Sequence, residues 1–450
     1  MFYTPFAAMQ KNTKNRNTKK KSNAARTLLA ASIACLSVSA SAGEGTVAFV
    51  GGRIIDGTGA AVIENGVIVS TAGRIVAVGP AASVTIPEGA EQIDVSGKTI
   101  IPGLINAHGH VGGVNGLETD QYDVENLGRQ LRLYARYGIT TVNSLGDDEY
   151  EAFAIRNEQD PMFINYARLM VAGPVIAATT VSDALRHVNG IAEQNPNFLK
   201  IRVDDNLGRS SKMAPEIYQA IADQAETLGI PLAVHTYTLA DAKATLAAGA
   251  DFIAHSVRDA EVDQDFIAAM KGANVCYSPT LTREVSTFVY ESEPAFFSDP
   301  FFLNEVDPAV ISTLREPQRQ QAMRDSANAQ HYKNVALPMA ITNLKLLSDA
   351  GVRIAMGTDS GPVTRFQGYF EHLEMSMMVE AGMTPMQVLQ SATSVAADCL
   401  GLNYQGTLEE GKWADVVVLD RNPLEDINNT KSVNQVWIAG NLVPPKGPTE

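Results

Sequence analysis

Between residues 102 and 402, eight short apolar runs alternate with stretches of helical periodicity, and this alternation constrains the fold more than any other feature of the chain. Helical crossovers between successive apolar strands imply a parallel sheet. The candidate strands are residues 104–108, 140–145, 167–172, 198–203, 231–235, 252–255, 275–278 and 353–357. Eight such strands close a (β/α)8 TIM barrel, whose chemistry sits at the C-terminal ends of its strands.

Short alternating β runs also precede and follow the barrel. Residues 47–50, 66–69 and 74–78 lie before it, and 415–419 and 433–438 lie after it. Two such blocks flanking a long middle predict a composite β-sandwich built from both chain ends. The expected α/β organisation is therefore a signal peptide over 1–42, sandwich parts over 43–101 and 403–450, and the barrel over 102–402. Within the barrel, residues 283–338 are too long for an ordinary loop and read as a lid. Its Phe288, Tyr290, Phe296, Phe297, Phe301 and Phe302 suit either a substrate pocket or the lid's own small core. Its acids Glu291, Glu293, Asp299, Glu305 and Asp307 read as a solvated face.

Chemistry enters at the strand ends. His108-Gly109-His110 closes the first run, and side chains two apart in a strand share a face, so both imidazoles can aim at one metal ion. Lys200, His235, His255 and Asp359 each lie at or near the end of a later run. Histidine nitrogen, carboxylate oxygen and a lysine carbamate formed with carbon dioxide suit zinc and related divalent ions. An unmodified Lys200 would be a cation beside metal cations, which is unfavourable, so it is read as carboxylated. The alternative is a lysine whose head reaches solvent at the rim. Asp359 also suits a helix N-cap, but its place fits a ligand and base better. His187, His331 and His372 end no apolar strand and are read as structural.

Two ions sharing a water would supply hydroxide near neutral pH to attack a polarised carbonyl. Asp359 would carry the proton to the leaving group, and the ion held by His235 and His255 would stabilise the oxyanion.

With those residues in view, the chain resembles the metal-dependent amidohydrolase superfamily, in particular its imidazolonepropionase-like and prolidase-like members. The resemblance rests on 100–110, on Met356-Gly357-Thr358-Asp359-Ser360-Gly361, on Glu380-Ala381-Gly382-Met383-Thr384-Pro385 and on 406–415 with Asn422-Pro423-Leu424. It implies that His108, His110 and Asp359 hold one metal, that His235 and His255 hold the other, and that Lys200 bridges them. It also suggests a homo-oligomer. Many prolidase-like relatives carry small residues after the bridging lysine, whereas this chain has Ile201-Arg202-Val203-Asp204-Asp205. By alternation Arg202 and Asp204 share the face of Lys200, and Tyr237 shares that of His235. Arg202, Tyr237 and Arg258 are thus candidate substrate residues, with Arg202 or Arg258 able to clamp a carboxylate. Pairing of Arg202 with Asp204 or Asp205 is the opposing reading.

The expected activity is hydrolysis of amide C–N bonds, in N-acyl amino acids or Xaa-Pro-like dipeptides, with two divalent ions, zinc by default. An esterase, lactonase or phosphotriesterase using the same centre is the alternative, and a non-catalytic binding protein a third reading. The partner is a small-molecule substrate.

Charge and the N-terminus complete the picture. Residues 1–42 hold seven Lys or Arg and no acid, which leaves 28 of the 35 basic residues against 50 acids afterwards. An acidic body of that kind argues against nucleic acid as a partner. The basic stretch 11–26, the apolar stretch 27–38 and Ala40-Ser41-Ala42 read as a secretory signal peptide, with an uncleaved anchor as the alternative. The mature protein is expected to be secreted or periplasmic and free of the membrane. Cys35 invites a lipoprotein reading that Ser32, three residues before it, disfavours. Cys276 and Cys399 sit in apolar contexts and are expected as buried free thiols.

Overall fold

The computed structural model describes residues 45–447, so the signal peptide expected over 1–42 lies outside the described residues. Five strands come first: β1 (Thr46–Ile54), β2 (Ile63–Thr71), β3 (Arg74–Pro80), β4 (Glu91–Asp94) and β5 (Thr99–Pro102). The β2–β3 hairpin turns through Ala72 and Gly73, both with positive φ, the geometry that matches the twist of the flanking strands. Next come β6 (Leu104–Gly109) and a two-stranded hairpin of β7 (Val114–Asn115) and β8 (Glu118–Thr119). The remaining strands are β9 (Ile139–Ser144), β10 (Arg168–Val171), β11 (Leu199–Val203), β12 (Leu232–Thr236), β13 (Phe252–Ala254), β14 (Cys276–Ser278), β15 (Arg353–Ile354), β16 (Val416–Leu419), β17 (Val433–Ile438) and β18 (Asn441–Leu442).

Both chain ends contribute to one sheet, in the order β18-β17-β16-β5-β1-β2-β3, with β4 also on β1. The join is the antiparallel β5–β16 ladder, which pairs Pro102 with Val416 and Thr99 with Leu419. The ladder is continuous, so the expected two-layer sandwich is a single sheet. That sheet curls on itself, because Phe49 of β1 and Trp437 of β17 are three strands apart yet meet edge to face at 5.3 Å.

The eight strands expected between 102 and 402 all form, with shifted ends, and all pair in parallel. They lie in two sheets, β10-β9-β6 and β11-β12-β13-β14-β15. Parallel bridges Gly109–Ser360 and Ile176–Ile201 connect the two at both junctions. The architecture is a TIM barrel with an additional sheet domain. Because barrel strands run parallel, their C-terminal ends share one rim, where side chains far apart in sequence meet.

Residues 283–338 are helical, with segments such as Pro300–Leu303, Pro308–Leu314 and Pro317–Arg324 that each begin on a proline suited to the first helical turn. Tyr290, Phe296, Phe297 and Phe302 are buried, and Phe302 meets Phe366 at 4.8 Å and Tyr369 at 5.1 Å. These aromatics form no separate core of the segment: they join the main core, packed against Phe366 and Tyr369 from outside it, and Phe302 also lines a cavity. The acids there are paired: Glu291 with Lys333, Glu293 with Arg315 and Glu305 with Arg136.

One expectation fails outright. Cys276 and Cys399 are joined as a disulfide, with Cα atoms 5.9 Å apart across 123 residues. Cys276 is buried as its apolar neighbours indicate and Cys399 is half-buried, but burial alone does not reveal that β14 and the last barrel helix bring the two sulfurs together. Among the described residues, no helix is long and apolar enough to cross a membrane.

Candidate metal centre

Six side chains converge at the shared rim. His108 ends β6, and His110 follows it by two residues, as the pleat requires. Asp359 follows β15 in the positive-φ region (φ 57°) and donates its backbone N–H to the His108 carbonyl at 2.7 Å. That bond closes β15 against β6. It places Asp359 Oδ1 2.8 Å from His110 Nε2 and 3.7 Å from His108 Nε2. Donor atoms of His108, His110 and Asp359 all lie within 4.8 Å of one another, a spacing compatible with one metal ion.

The other three complete a contiguous set. Lys200 Nζ, on β11, lies 3.4 Å from His108 Nε2. The His255 ring centroid is 4.6 Å from that of His108 and 4.2 Å from that of His235. His255 has φ 77°, so two of the six residues occupy a backbone region that costs energy outside glycine.

Hydrogen bonds orient the imidazoles. His110 donates from Nδ1 to the Gly146 carbonyl at 2.8 Å, leaving its Nε2 lone pair toward Asp359. His235 donates from Nε2 to Asp204 Oδ2 at 3.0 Å, leaving Nδ1. His255 Nδ1 is 2.8 Å from the Thr280 hydroxyl. Such outer partners hold metal-ligating histidines in one tautomer.

The electrostatics favour neutral ring nitrogens and an ionised carboxylate. Burial pulls His108 and His255 well below the usual histidine range and His235 down to about 3. Burial also pulls His110 down, but the hydrogen bond and charge of Asp359, together with Asp147 and the Gly146 carbonyl, outweigh it and raise this histidine. Burial would raise Asp359, yet Arg365 and His110 hold it well below the usual carboxylate range. Lys200 is brought down by burial to about 7 and, among the described residues, has no carboxylate at ion-pair distance.

The cavity at these groups has a volume near 180 Å³. Besides the six, Arg202, Arg283 and Arg365 reach it, along with Asp147 and Val175. Of the candidate substrate residues, only Arg202 lines it, and its Nη2 donates to Asp204 Oδ2 at 3.0 Å, the pairing given as the opposing reading.

Arg258 does not line the cavity. It is fully buried, ion-paired with Glu284 and donating to the Thr236 carbonyl at 2.8 Å, because a buried cation must be neutralised locally. Tyr237 lies one residue past β12 and its hydroxyl is 2.6 Å from His331 Nε2. Of the histidines read as structural, His372 is buried on a helix and donates to the Tyr137 carbonyl at 2.8 Å, while His187 sits by Asp183.

Sequence reasoning missed Arg283, Arg365, Thr280 and Glu371. Arg365 donates to Asp359 Oδ2. Buried Glu371 accepts from Asn106 at 2.6 Å, Thr358 at 2.9 Å and Ser360 at 2.6 Å, clasping both neighbours of Asp359 to β6. Arg365 lies in the loop before, and Glu371 in the first turn of, the helix Tyr369–Glu380, an aromatic-rich stretch with no periodic signal of a site.

Comparison with known proteins agrees with this geometry. The amidohydrolase family model matches residues 99–443. Ochratoxinase of Aspergillus niger is 29% identical over 290 residues, which cover 62% of this chain. The match spans about half the length of that relative, 52%. Imidazolonepropionase of Rhizobium rhizogenes is 24% identical over 416 residues, covering 80% of this chain and 88% of the relative. Among solved structures, one from Bifidobacterium longum described as a prolidase superposes with a TM-score of 0.74 at 25% identity, covering 90% of this chain and 95% of that one.

Proposed function

The chain belongs to the amidohydrolase family, and from that premise we propose that it hydrolyses amide C–N bonds at a two-metal centre. The observation that carries this reading is the convergence of His108, His110, Lys200, His235, His255 and Asp359 on one small cavity. The donor set fits divalent metal. Burial favours the neutral form of His108, His235 and His255, Asp359 stays ionised, and the outer hydrogen bonds of His110 and His235 leave one ring nitrogen of each available. His108, His110 and Asp359 would hold one ion, His235 and His255 the other, and Lys200 as a carbamate would bridge them. The Lys200 head, enclosed without a carboxylate partner, supports the modification. Two bound ions, zinc by default, supply an activated water and a Lewis acid for the scissile carbonyl.

The residues of the chain do the rest. Water oxygen ends on the acyl carbon, the C–N bond breaks, and Asp359 passes a proton from the water to the departing amine. Three guanidinium groups, Arg202, Arg283 and Arg365, reach the cavity. They support a substrate carrying a carboxylate, as an N-acyl amino acid or dipeptide does, with Arg202 and Arg283 as its clamp. In this reading the eight parallel strands form one closed barrel over 102–402, flanked by sheet-domain parts over 43–101 and 403–450. The protein acts outside the cytoplasm, secreted or periplasmic, and the Cys276–Cys399 disulfide supports that placement.

The test is hydrolysis of N-acyl amino acids beside their α-carboxyl methyl esters and beside the matching O-acyl hydroxy acids. The proposal expects cleavage of the free-acid amide and a large loss on methylation. Cleavage of the O-acyl compounds with none of the amides would overturn it.

A further inference from the structure

A second cavity, near 690 Å³, opens at the C-terminal ends of β9 and β10, between the helices Tyr150–Glu158 and Val181–Ala192. Its walls include Tyr150, Phe153, Ile176 and Ile191, with Val175 on the side toward the metal centre. Val175 lines both cavities. The partition is thin: a Cβ placed on Gly146 would lie 2.7 Å from Val175 Cγ2, 3.4 Å from Lys200 Cγ and 3.9 Å from His110 Cε1. Two of the charged groups at this cavity are already engaged. Asp148 accepts from the Ser144 hydroxyl and from the amides of Ala172 and Gly173 at 3.0 Å, and Arg186 is paired with Asp183. Glu149, His187 and Gln194 also line it, but its surface is mainly apolar, with the Tyr150 ring exposed.

The metal cavity alone is smaller than the roughly 300–1,000 Å³ of ordinary small-molecule sites, so a substrate of dipeptide size must extend beyond it. It has two neighbours of opposite character. On one side, Pro362 and Arg365 are shared with a cavity that also carries Arg129, Arg136 and Lys446. On the other, Val175 separates it from the apolar one. A carboxylate belongs with the arginines, which leaves the apolar side for the opposite end of the substrate.

We propose that the cavity behind Val175 receives the acyl portion of the substrate, and that this portion is a bulky aromatic or polycyclic group. The inference rests on the amide-hydrolase reading and deepens it. The preferred substrates are N-aroyl amino acids, with the amino-acid carboxylate toward Arg202 and Arg283 and the aromatic ring past Val175. Burial of a large flat ring against Phe153, Ile176 and Ile191 supplies binding energy away from the reacting bond.

Gly190 provides a clean test. It lies inside a helix, lines the cavity, and a Cβ there would meet nothing within 4 Å. Gly190→Phe therefore fills the cavity without disturbing the core, and replacing a mid-helix glycine does not weaken the helix. In the full-length, metal-loaded protein, kcat/KM is measured for N-(2-naphthoyl)phenylalanine and for N-acetylphenylalanine. The parent is expected to prefer the naphthoyl substrate, and Gly190→Phe to lower that preference by about tenfold or more, mainly through KM. Val175→Phe is expected to lower it in the same way. An unchanged ratio in both variants overturns the proposal. So does a change in oligomeric state on Gly190→Phe with the ratio intact, which would make the cavity a contact between copies of the chain. If the parent cleaves neither amide, the amide-hydrolase reading fails, and binding of 2-naphthoate followed by its fluorescence decides the cavity separately. Weaker binding in Gly190→Phe than in the parent supports the cavity's role, whereas equal or absent binding overturns it.

Discussion

Arg365 donates to Oδ2 of Asp359, the carboxylate whose other oxygen lies 2.8 Å from His110 Nε2. One arginine thus fixes the orientation of the residue that, in the proposed mechanism, both holds a metal ion and carries the proton. Arg365→Gln is expected to lower kcat by about 10–100-fold, the usual cost of losing an outer-shell partner, with a smaller change in KM. Steady-state kinetics on the free-acid amide check this. A raised KM with kcat intact would instead assign Arg365 to substrate binding.

Thr280 is a buried, β-branched residue at φ 49°, a conformation such side chains rarely adopt. Its hydroxyl lies 2.8 Å from His255 Nδ1, and that contact explains why the strain of about 1–3 kcal/mol is retained. Thr280→Gly relieves the backbone while deleting the contact. Unfolding in urea is expected to show a stability within about 1 kcal/mol of the parent, with activity at limiting metal reduced about tenfold or more. Thr280→Ser, which keeps the hydroxyl, restores the activity.

Glu371 holds Asn106, Thr358 and Ser360 together from a fully buried position. Glu371→Ala leaves three enclosed polar groups without their acceptor and is expected to cost at least about 3 kcal/mol. Denaturant midpoints measure this, and Glu371→Gln, which retains one acceptor oxygen, should fall between the two.

His372 is enclosed between Thr430 and the Tyr137 carbonyl, and burial pulls it down to about 4. The unfolded chain binds a proton at this residue near pH 6.5, whereas the folded protein does not until about pH 4. The contribution of His372 to stability is therefore present above the unfolded value and lost as pH falls toward 4, at about 1.4 kcal/mol per pH unit. The gap in unfolding free energy between parent and His372→Gln should narrow between pH 7 and pH 4.5. A gap independent of pH would contradict a neutral, buried imidazole.

The eight barrel strands and their shared rim were legible because each is a short apolar run set off by helical stretches, and periodicity is local. His108 and His110 were legible for the same reason, through the two-residue pleat. Arg202 lies within β11, where alternation holds, and reaches the cavity while paired with Asp204. Tyr237 and Arg258 turn to His331 and Glu284 instead, partners that no local pattern reports. The Cys276–Cys399 pairing, the grip of Arg365 on Asp359 and the Glu371 clasp on Asn106 depend on which elements meet in space. Apolar context reports only that a side chain is buried, not against what. The segment 283–338 stood out by length, but its aromatic packing against Phe366 and Tyr369 comes from a later helix and its approach.

The central claim is a two-metal centre bridged by Lys200. Metal content per chain, measured on protein purified with zinc and bicarbonate beside Lys200→Ala, tests it most directly. The account predicts two ions per chain in the parent and fewer in the variant. One ion or none in the parent, unchanged by Lys200→Ala, would contradict it.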